Sequence, residues 1–589
     1  SIFCNSTEED VNNAVISAED SFISWSSLNP VKRGQILSSI VAQMKKNISK
    51  LTECVALETG KSLADSHGEV QGAILQGEYF AGEGMRLYGQ SLNSGMDGKM
   101  SHTVREAHGV AGLIVPANTP IANIAWKVFP ALICGNTAVL KSSEDAPNTA
   151  NLFAKLTKDA DLPDGVLNVI HGIGQIAGTA LVANPKIKVI SFTGSTHVGQ
   201  IIAVEAAKRL ARVSLELGGK NPFIVCDDAD LDKAVYWACL SAFSNAGQRC
   251  AAGSRIIVCE GIYEKFKAAL ISKASSLTLG VHEGSDLGPV INRAQYEKII
   301  KTINEAKATE MLLCGGQPPE DEELQKGFYI KPTILECADL NAPINSIEIF
   351  GPVATLTKVE DLYQALEVAN NSKYGLTAAI HTKDIDRGLW FASRIKAGLA
   401  NINFGTYGSE PHMPFGGFGL SGNGTREPGL EALNVYSELK NIAMLTGGLI
   451  SINHKQLIKI PENINFELAS ATQLTYGTSY HALIQRGRLK VEDEILILGC
   501  SGGVGLAALD IAKAYNVRVV AGVSSEEKAD LCKQYGADEV VIYGSKRLDI
   551  EDQKELTKTF KEKSIKGGFD IIYDPIGDCY TEPALRSIN

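Results

Sequence analysis

Residues 189–219 read VISFTGSTHVGQIIAVEAAKRLARVSLELGG. An apolar run of strand length breaks at a glycine turn, continues with apolar residues at helical spacing, and closes on a second apolar run. That pattern predicts a strand, a crossover helix and a parallel strand. Working outward, GVAGLIVPA, TAVLKSS and VLNVIHG repeat the alternation on the N-terminal side. The fold class is therefore α/β, with a doubly wound parallel sheet that takes ligands at the C-terminal ends of its strands. Ahead of it, from Ala14 to Gly89, stretches such as RGQILSSIVAQMKKNISKLTECVALETG predict amphipathic helices packed on that sheet. A second mixed α/β unit follows to His412, and LNVYSELKNIAML returns as an edge strand or pairing arm.

A separate βαβ series begins at EILILGCSGGVGLAALDIAKAYNVRVVAGV and counts four strands, EILILG, RVVAGV, DEVVIY and FDIIYD. The chain thus divides into residues 1–217, completed by 412–446; residues 218–411; a linker at 447–455; and residues 456–589.

Composition narrows the function. With 589 residues, 44% of them hydrophobic, the chain can bury several cores. Its net charge of -11 is spread along the chain, which argues against nucleic acid as a partner. No apolar run reaches the roughly 20 residues that span a bilayer, and SIFCNSTEED lacks the features of a signal peptide, so a cytoplasmic protein without membrane partners is expected. The 12 cysteines follow no disulfide framework or zinc spacing, so reduced thiols and no metal are expected.

One thiol stands apart. Cys134, Cys226 and Cys259 lie in apolar runs and read as buried, inert side chains, whereas Cys250 lies in SNAGQRCAAGS, among small and amide residues and beside the cationic Arg249. A nucleophilic cysteine needs such a setting, together with a base for water and a donor for the oxyanion.

In these blocks the chain resembles the aldehyde dehydrogenase superfamily, from residue 10 to 446. PANTP, CGNTAVLK, FTGSTHVG, LELGGKNP, NAGQRCAAGS, IEIFGPV, YGLTA and PFGGFGLSGNGTREPG occur in the family's order. The resemblance implies NAD(P)-dependent oxidation of a small-molecule aldehyde to a carboxylic acid through a thiohemiacetal and a thioester. Cys250 is the nucleophile, the Asn118 amide holds the oxyanion, and Glu216 is the general base for hydrolysis. It further implies a Rossmann-like NAD-binding domain at 1–217 and a catalytic domain at 218–411. Gly194, Ser195 and Gly199 would form the pyrophosphate turn. Lys141 and Glu144 would contact the adenosine ribose, the Glu144 carboxylate favouring NAD over NADP. Glu348 and Phe350 would flank the nicotinamide. Homodimers or homotetramers through the segment from Tyr436 to Leu445 are expected. Ala117, Thr119, Ile347 and Gly419 depart from the commoner family pattern and reshape the substrate funnel, and the chain begins inside the family's first domain.

From Gln456 onward, YGTSYHALIQRGRL and GCSGGVGLAALDIAK resemble the nucleotide-binding half of medium-chain dehydrogenase/reductases of the quinone oxidoreductase type. An incomplete second Rossmann domain is expected there. Gly502, Gly503 and Gly505 would form its phosphate turn, and Ser524 and Lys528 suit the 2′-phosphate of NADPH. Two alternatives remain open at this point: a catalytically incomplete fusion that only binds dinucleotide, and a bifunctional aldehyde dehydrogenase and NADPH quinone reductase.

Overall fold

The protein is described by a computed structural model covering residues 3–445 and 459–589. It forms two compact units, Ser1–Gly447 and Gly448–Asn589. The expected linker, 447–455, lies outside the described residues.

The first unit opens with four helices, Glu8–Ser26, Pro30–Lys46, Ile48–Thr59 and Leu63–Glu83. Their apolar residues recur at helical spacing, so one face of each is buried; in the second, Leu37, Ile40, Val41 and Met44 point inward. Thr7 and Asp10 form a capping box at the first helix, and Gly60, at φ +73°, ends the third in the left-handed region that suits glycine.

The five apolar runs of the first sheet become strands Val110–Ile114, Thr137–Lys141, Leu167–Ile170, Ile187–Thr193 and Arg212–Glu216. All pair in parallel. In space, Leu167–Ile170 is followed by Thr137–Lys141, Val110–Ile114, Ile187–Thr193 and Arg212–Glu216. The chain steps outward twice from Val110–Ile114 and then crosses back to its other side. The crevice opened by that reversal lies beyond Ile114 and Thr193, where PANTP and GST begin. Helix Pro120–Ile133, with 12 of its 14 residues buried, fills the core beneath it; Phe129 and Phe153 meet there edge to face at 6.1 Å.

Seven strands form a second sheet, running from Met311–Cys314 at one edge through Thr333–Glu336, Val353–Val359, Arg255–Cys259, Pro222–Val225 and Thr377–His381 to Leu399–Ile402. Only the Met311–Cys314 pairing is antiparallel. The returning stretch is strand Ser437–Leu445, which pairs antiparallel with Lys99–Ala107 from Ser437↔Ala107 to Leu445↔Lys99. Leu439, Met444 and Leu445 stand exposed on this ribbon, while Tyr436 just before it is fully buried.

The second unit has a four-stranded parallel sheet in the order Glu539–Ile542, Arg518–Val523, Glu494–Leu498 and Ile571–Tyr573. Helices Gly503–Ala514, Glu526–Gln534 and Ile550–Lys563 connect its strands. Glu494, buried at the start of its strand, accepts hydrogen bonds from Arg518 Nε (2.8 Å), Ser564 Oγ (2.7 Å) and the Ile565 amide.

Candidate active site

Cys250 is presented by a loop with three consecutive left-handed residues, Asn245 (φ 54°), Ala246 (φ 52°) and Gly247 (φ 68°). Such conformations cost about 1 kcal/mol or more at each non-glycine position, so surrounding contacts must enforce them. Those contacts are present. Asn245 Nδ2 donates to the carbonyls of Asn118 and Gln248 (both 3.2 Å), and Gln248 Nε2 donates to Asn245 O and Pro289 O (both 3.2 Å). Beyond the thiol, Asn221 Nδ2 ties down the carbonyls of Cys250 (2.7 Å) and Ala252 (2.9 Å). At Gly247 a Cβ would lie 2.0 Å from Gly351 O, so only glycine fits.

Around the thiol is a cleft of about 300 Å³ that brings together Asn118, Gly194, Ser195, Glu216, Cys250, Glu348 and Phe350. It stands at the strand-order reversal of the five-stranded sheet. Asn118 reaches it from the loop after Val110–Ile114, with one N–H of its amide on Gln248 O (2.9 Å). Ser195 caps helix Thr196–Ala207, accepting from the Val198 amide, and the first turn of that helix carries no acidic residue, leaving its positive end for an anion. Three further predicted positions lie outside the cleft lining. Gly199 faces Leu217, where a Cβ would come within 2.4 Å, so it serves close helix-to-strand packing. Lys141, buried at its strand end, pairs with the more exposed Glu144 at 3.1 Å.

The electrostatics are those of poised acids. Burial drives the Cys250 thiol up to about 12, with the carboxylates of Glu216 and Glu348 adding to the shift. Arg249, whose guanidinium lies over the Tyr407 ring 4.8 Å from its centre, pulls the thiol the other way, by less than burial and the two carboxylates raise it. Glu216 is raised well above the usual carboxylate range, first by burial and then by Glu427, against the pull of Lys127 and Arg426. Both its oxygens are buried without a hydrogen-bond partner. Glu348, raised to about 6 by burial, accepts the Gly219 amide at 2.9 Å. A Cβ on Gly218 would fall 2.0 Å from its carboxylate and one on Gly219 2.6 Å from Cys250 O, which accounts for the paired glycines of LELGG.

Several participants escape the sequence reading. Lys127 Nζ binds Glu427 Oε2 (3.0 Å) and Ser191 Oγ (2.7 Å), and Tyr436 OH donates to Glu427 Oε1 (3.1 Å). A lone lysine in the otherwise apolar run IAWKVFPALI was the available signal. Gln295 Nε2 holds the carbonyls of Ile349 (2.8 Å) and Phe350 (3.2 Å), and it lines the cleft together with Lys298. Trp126 and Phe415, edge to face at 5.3 Å, supply an apolar wall.

In the second unit Gly502 is the cap residue of helix Gly503–Ala514, and a Cβ on Gly505 would meet Gly499 O at 2.4 Å. At the end of the next strand Lys528 Nζ donates to Ser524 Oγ (2.9 Å). Among the described residues of the whole chain, no group of three or more His, Cys, Asp or Glu side chains could hold a metal ion, and no helix is long and apolar enough to cross a membrane.

Comparison with known proteins gives the family. Residues 3–442 match the aldehyde dehydrogenase family, and residues 503–589 match the zinc-binding dehydrogenase family. The chain is 38% identical over 441 residues to the alpha-ketoglutaric semialdehyde dehydrogenase of Bacillus subtilis, covering 74% of this chain and 90% of that protein. It is 39% identical over 448 residues to human retinaldehyde dehydrogenase 3, covering 74% and 86%. The crystal structure of betaine aldehyde dehydrogenase from Staphylococcus aureus in complex with NAD+ superposes with a TM-score of 0.74 at 34% identity, over 76% of this chain and 89% of that one. An oxidoreductase with a nicotinamide-dinucleotide fold and a zinc-binding-dehydrogenase domain appended to it, the chain belongs to the aldehyde dehydrogenase family.

Proposed function

We propose that the first unit oxidises an aldehyde to a carboxylic acid, with NAD preferred, through a thioester on Cys250. The supporting observation is one cleft holding the thiol, the Asn118 amide and a buried carboxylate, Glu216, that no other side chain engages. Residues 1–217 with 412–446 form the cofactor domain, and residues 218–411 form the catalytic domain.

The chemistry follows from those groups. Cys250 Sγ, its proton passing to water, adds to the aldehyde carbon. The oxygen that gains charge is held by the free N–H of the Asn118 amide and by the Cys250 backbone N–H. A dinucleotide held with its nicotinamide end between Glu348 and Phe350 would supply the hydride acceptor that the change from adduct to thioester needs. Glu216 then takes a proton from water, whose oxygen attacks the acyl carbon; the C–S bond breaks, releasing the acid and regenerating the thiolate. A carboxylate raised above its usual range by burial is a stronger base than a solvated one.

The residues fit a dinucleotide. The uncharged first turn at Ser195 suits pyrophosphate, Lys141 and Glu144 suit ribose hydroxyls, and Glu144 repels a 2′-phosphate. Glu348 and Phe350 would flank the nicotinamide end. The twelve cysteines, all free, suit a reducing compartment such as the cytoplasm. The exposed ribbon Ser437–Leu445 suits pairing of two or four copies. In the second unit, Gly502, Gly503 and Gly505 with Ser524 and Lys528 suit NADPH.

The test is NADH formation over a panel of aldehydes, with NAD and NADP compared and Cys250→Ala run alongside. Turnover abolished in the variant supports the proposal. A folded intact chain that binds NAD but turns over no aldehyde overturns it in favour of a dinucleotide-binding fusion.

A further inference from the structure

Asn118 leads within two residues into helix Pro120–Ile133, and that helix lacks a cap of its own. Thr119, at the cap position, makes no side-chain cap bond, and the first turn contains no acidic residue. A buried helix end without a partner for its amides is costly. The partner comes from another helix: Glu69 Oε1 accepts from the amides of Ile121 (3.0 Å) and Ala122 (3.3 Å). Its other oxygen pairs with Lys61 Nζ, and the two side chains are only 5% and 3% exposed. On the far side, Asn118 Nδ2 donates to Gln248 O and Asn118 O accepts from Asn245 Nδ2, both on the Cys250 loop.

We infer that Glu69 is a positioning residue for the reaction: by anchoring the first turn of the helix it fixes the Asn118 amide over the carbonyl oxygen of the bound substrate. The inference rests on the reading of Asn118 as the oxyanion donor. The lever is short, since Ile121 is three residues from Asn118. Loss of the charged acceptor lets the turn move, and a displacement near 1 Å at a reacting group costs up to about 10²-fold in rate. Nothing else caps these amides, so the anchor is not duplicated. Because the carboxylate is desolvated and charge-assisted, a neutral acceptor holds the turn less firmly.

A double-mutant cycle on the intact chain tests this. Steady-state rates, with an aldehyde that the intact chain oxidises, are measured for Glu69→Gln, Asn118→Ala and the double variant over a range of NAD concentrations. Glu69→Gln is expected to lower kcat about tenfold with KM for NAD and the rate of Cys250 alkylation by iodoacetamide unchanged, and to lower it less than twofold in the Asn118→Ala background. Should Glu69→Gln leave Lys61 uncompensated and the chain misfolded, Lys61→Met with Glu69→Gln removes both charges and enters the same cycle. Equal losses in both backgrounds would show that Glu69 supports folding alone, and no loss in either would show that it positions nothing; each overturns the inference. If Asn118→Ala itself leaves kcat unchanged, the reading of Asn118 falls, and the inference with it.

Discussion

Two glutamates at strand ends, one in each unit, have almost the same burial and opposite circumstances. Glu494 is 1% exposed and surrounded by donors from Arg518, Ser564 and Ile565. Glu216 is 4% exposed and has none. A buried carboxylate left unpaired costs several kcal/mol of solvation, which a protein tolerates where the group must act. The contrast extends to the units. Among the described residues, every buried side-chain nitrogen or oxygen without a partner lies in the first unit. Both units offer a glycine turn leading into a helix, yet among the described residues only the first places beside it a cleft with a thiol, an amide and a carboxylate whose oxygens are buried without a hydrogen-bond partner.

Substitutions can break this contrast. The largest expected effect is that of Cys250→Ala, which should lower NADH formation by at least about 10⁴-fold, as loss of a nucleophile does. Next, Glu216→Gln should lower steady-state kcat by about 10²- to 10⁴-fold while a first turnover persists, seen as one NADH per site in a rapid-mixing experiment. The companion Glu494→Leu should leave kcat within a factor of about two and lower unfolding free energy by about 1–3 kcal/mol in urea titration, because only structural donors lose their acceptor.

The pH profile sharpens the same contrast. Glu216 is raised by burial and by Glu427, so it stays protonated, and idle as a base, well above the pH at which an exposed glutamate ionises. Hydrolysis-limited kcat should therefore climb with rising pH above the usual carboxylate range, and Glu216→Gln should remove that limb. The smallest effect belongs to the second unit. Lys528→Ala should weaken NADPH binding to the intact chain by about tenfold or less, about 1.4 kcal/mol, and leave NADH binding unchanged.

How much of this was visible beforehand differs by element. While edge strands such as Ile571–Tyr573 are only partly buried, the central strands of the two parallel sheets were legible because they are buried on both faces and so read as apolar runs, as in EILIL or VAGLI. Strand Lys99–Ala107 was not: KMSHTVREA is half-exposed throughout, and its partner lies more than 300 residues away in sequence. Cys250, Glu216 and Asn118 could be named from their blocks, but not how they are held. The left-handed turn at Asn245 depends on a distant carbonyl, that of Asn118, and the Lys127–Glu427 pair joins positions 300 residues apart.

If Glu216 is the base that frees the acyl group from Cys250, its loss should strand that group on the thiol, where intact-protein and peptide mass spectrometry of Glu216→Gln after rapid mixing with an aldehyde and NAD would find it. An acyl adduct on Cys250, its mass that of the matching acid less water, is expected to accumulate in step with one equivalent of NADH. A burst of NADH with Cys250 unmodified, or an adduct on another residue, would contradict it.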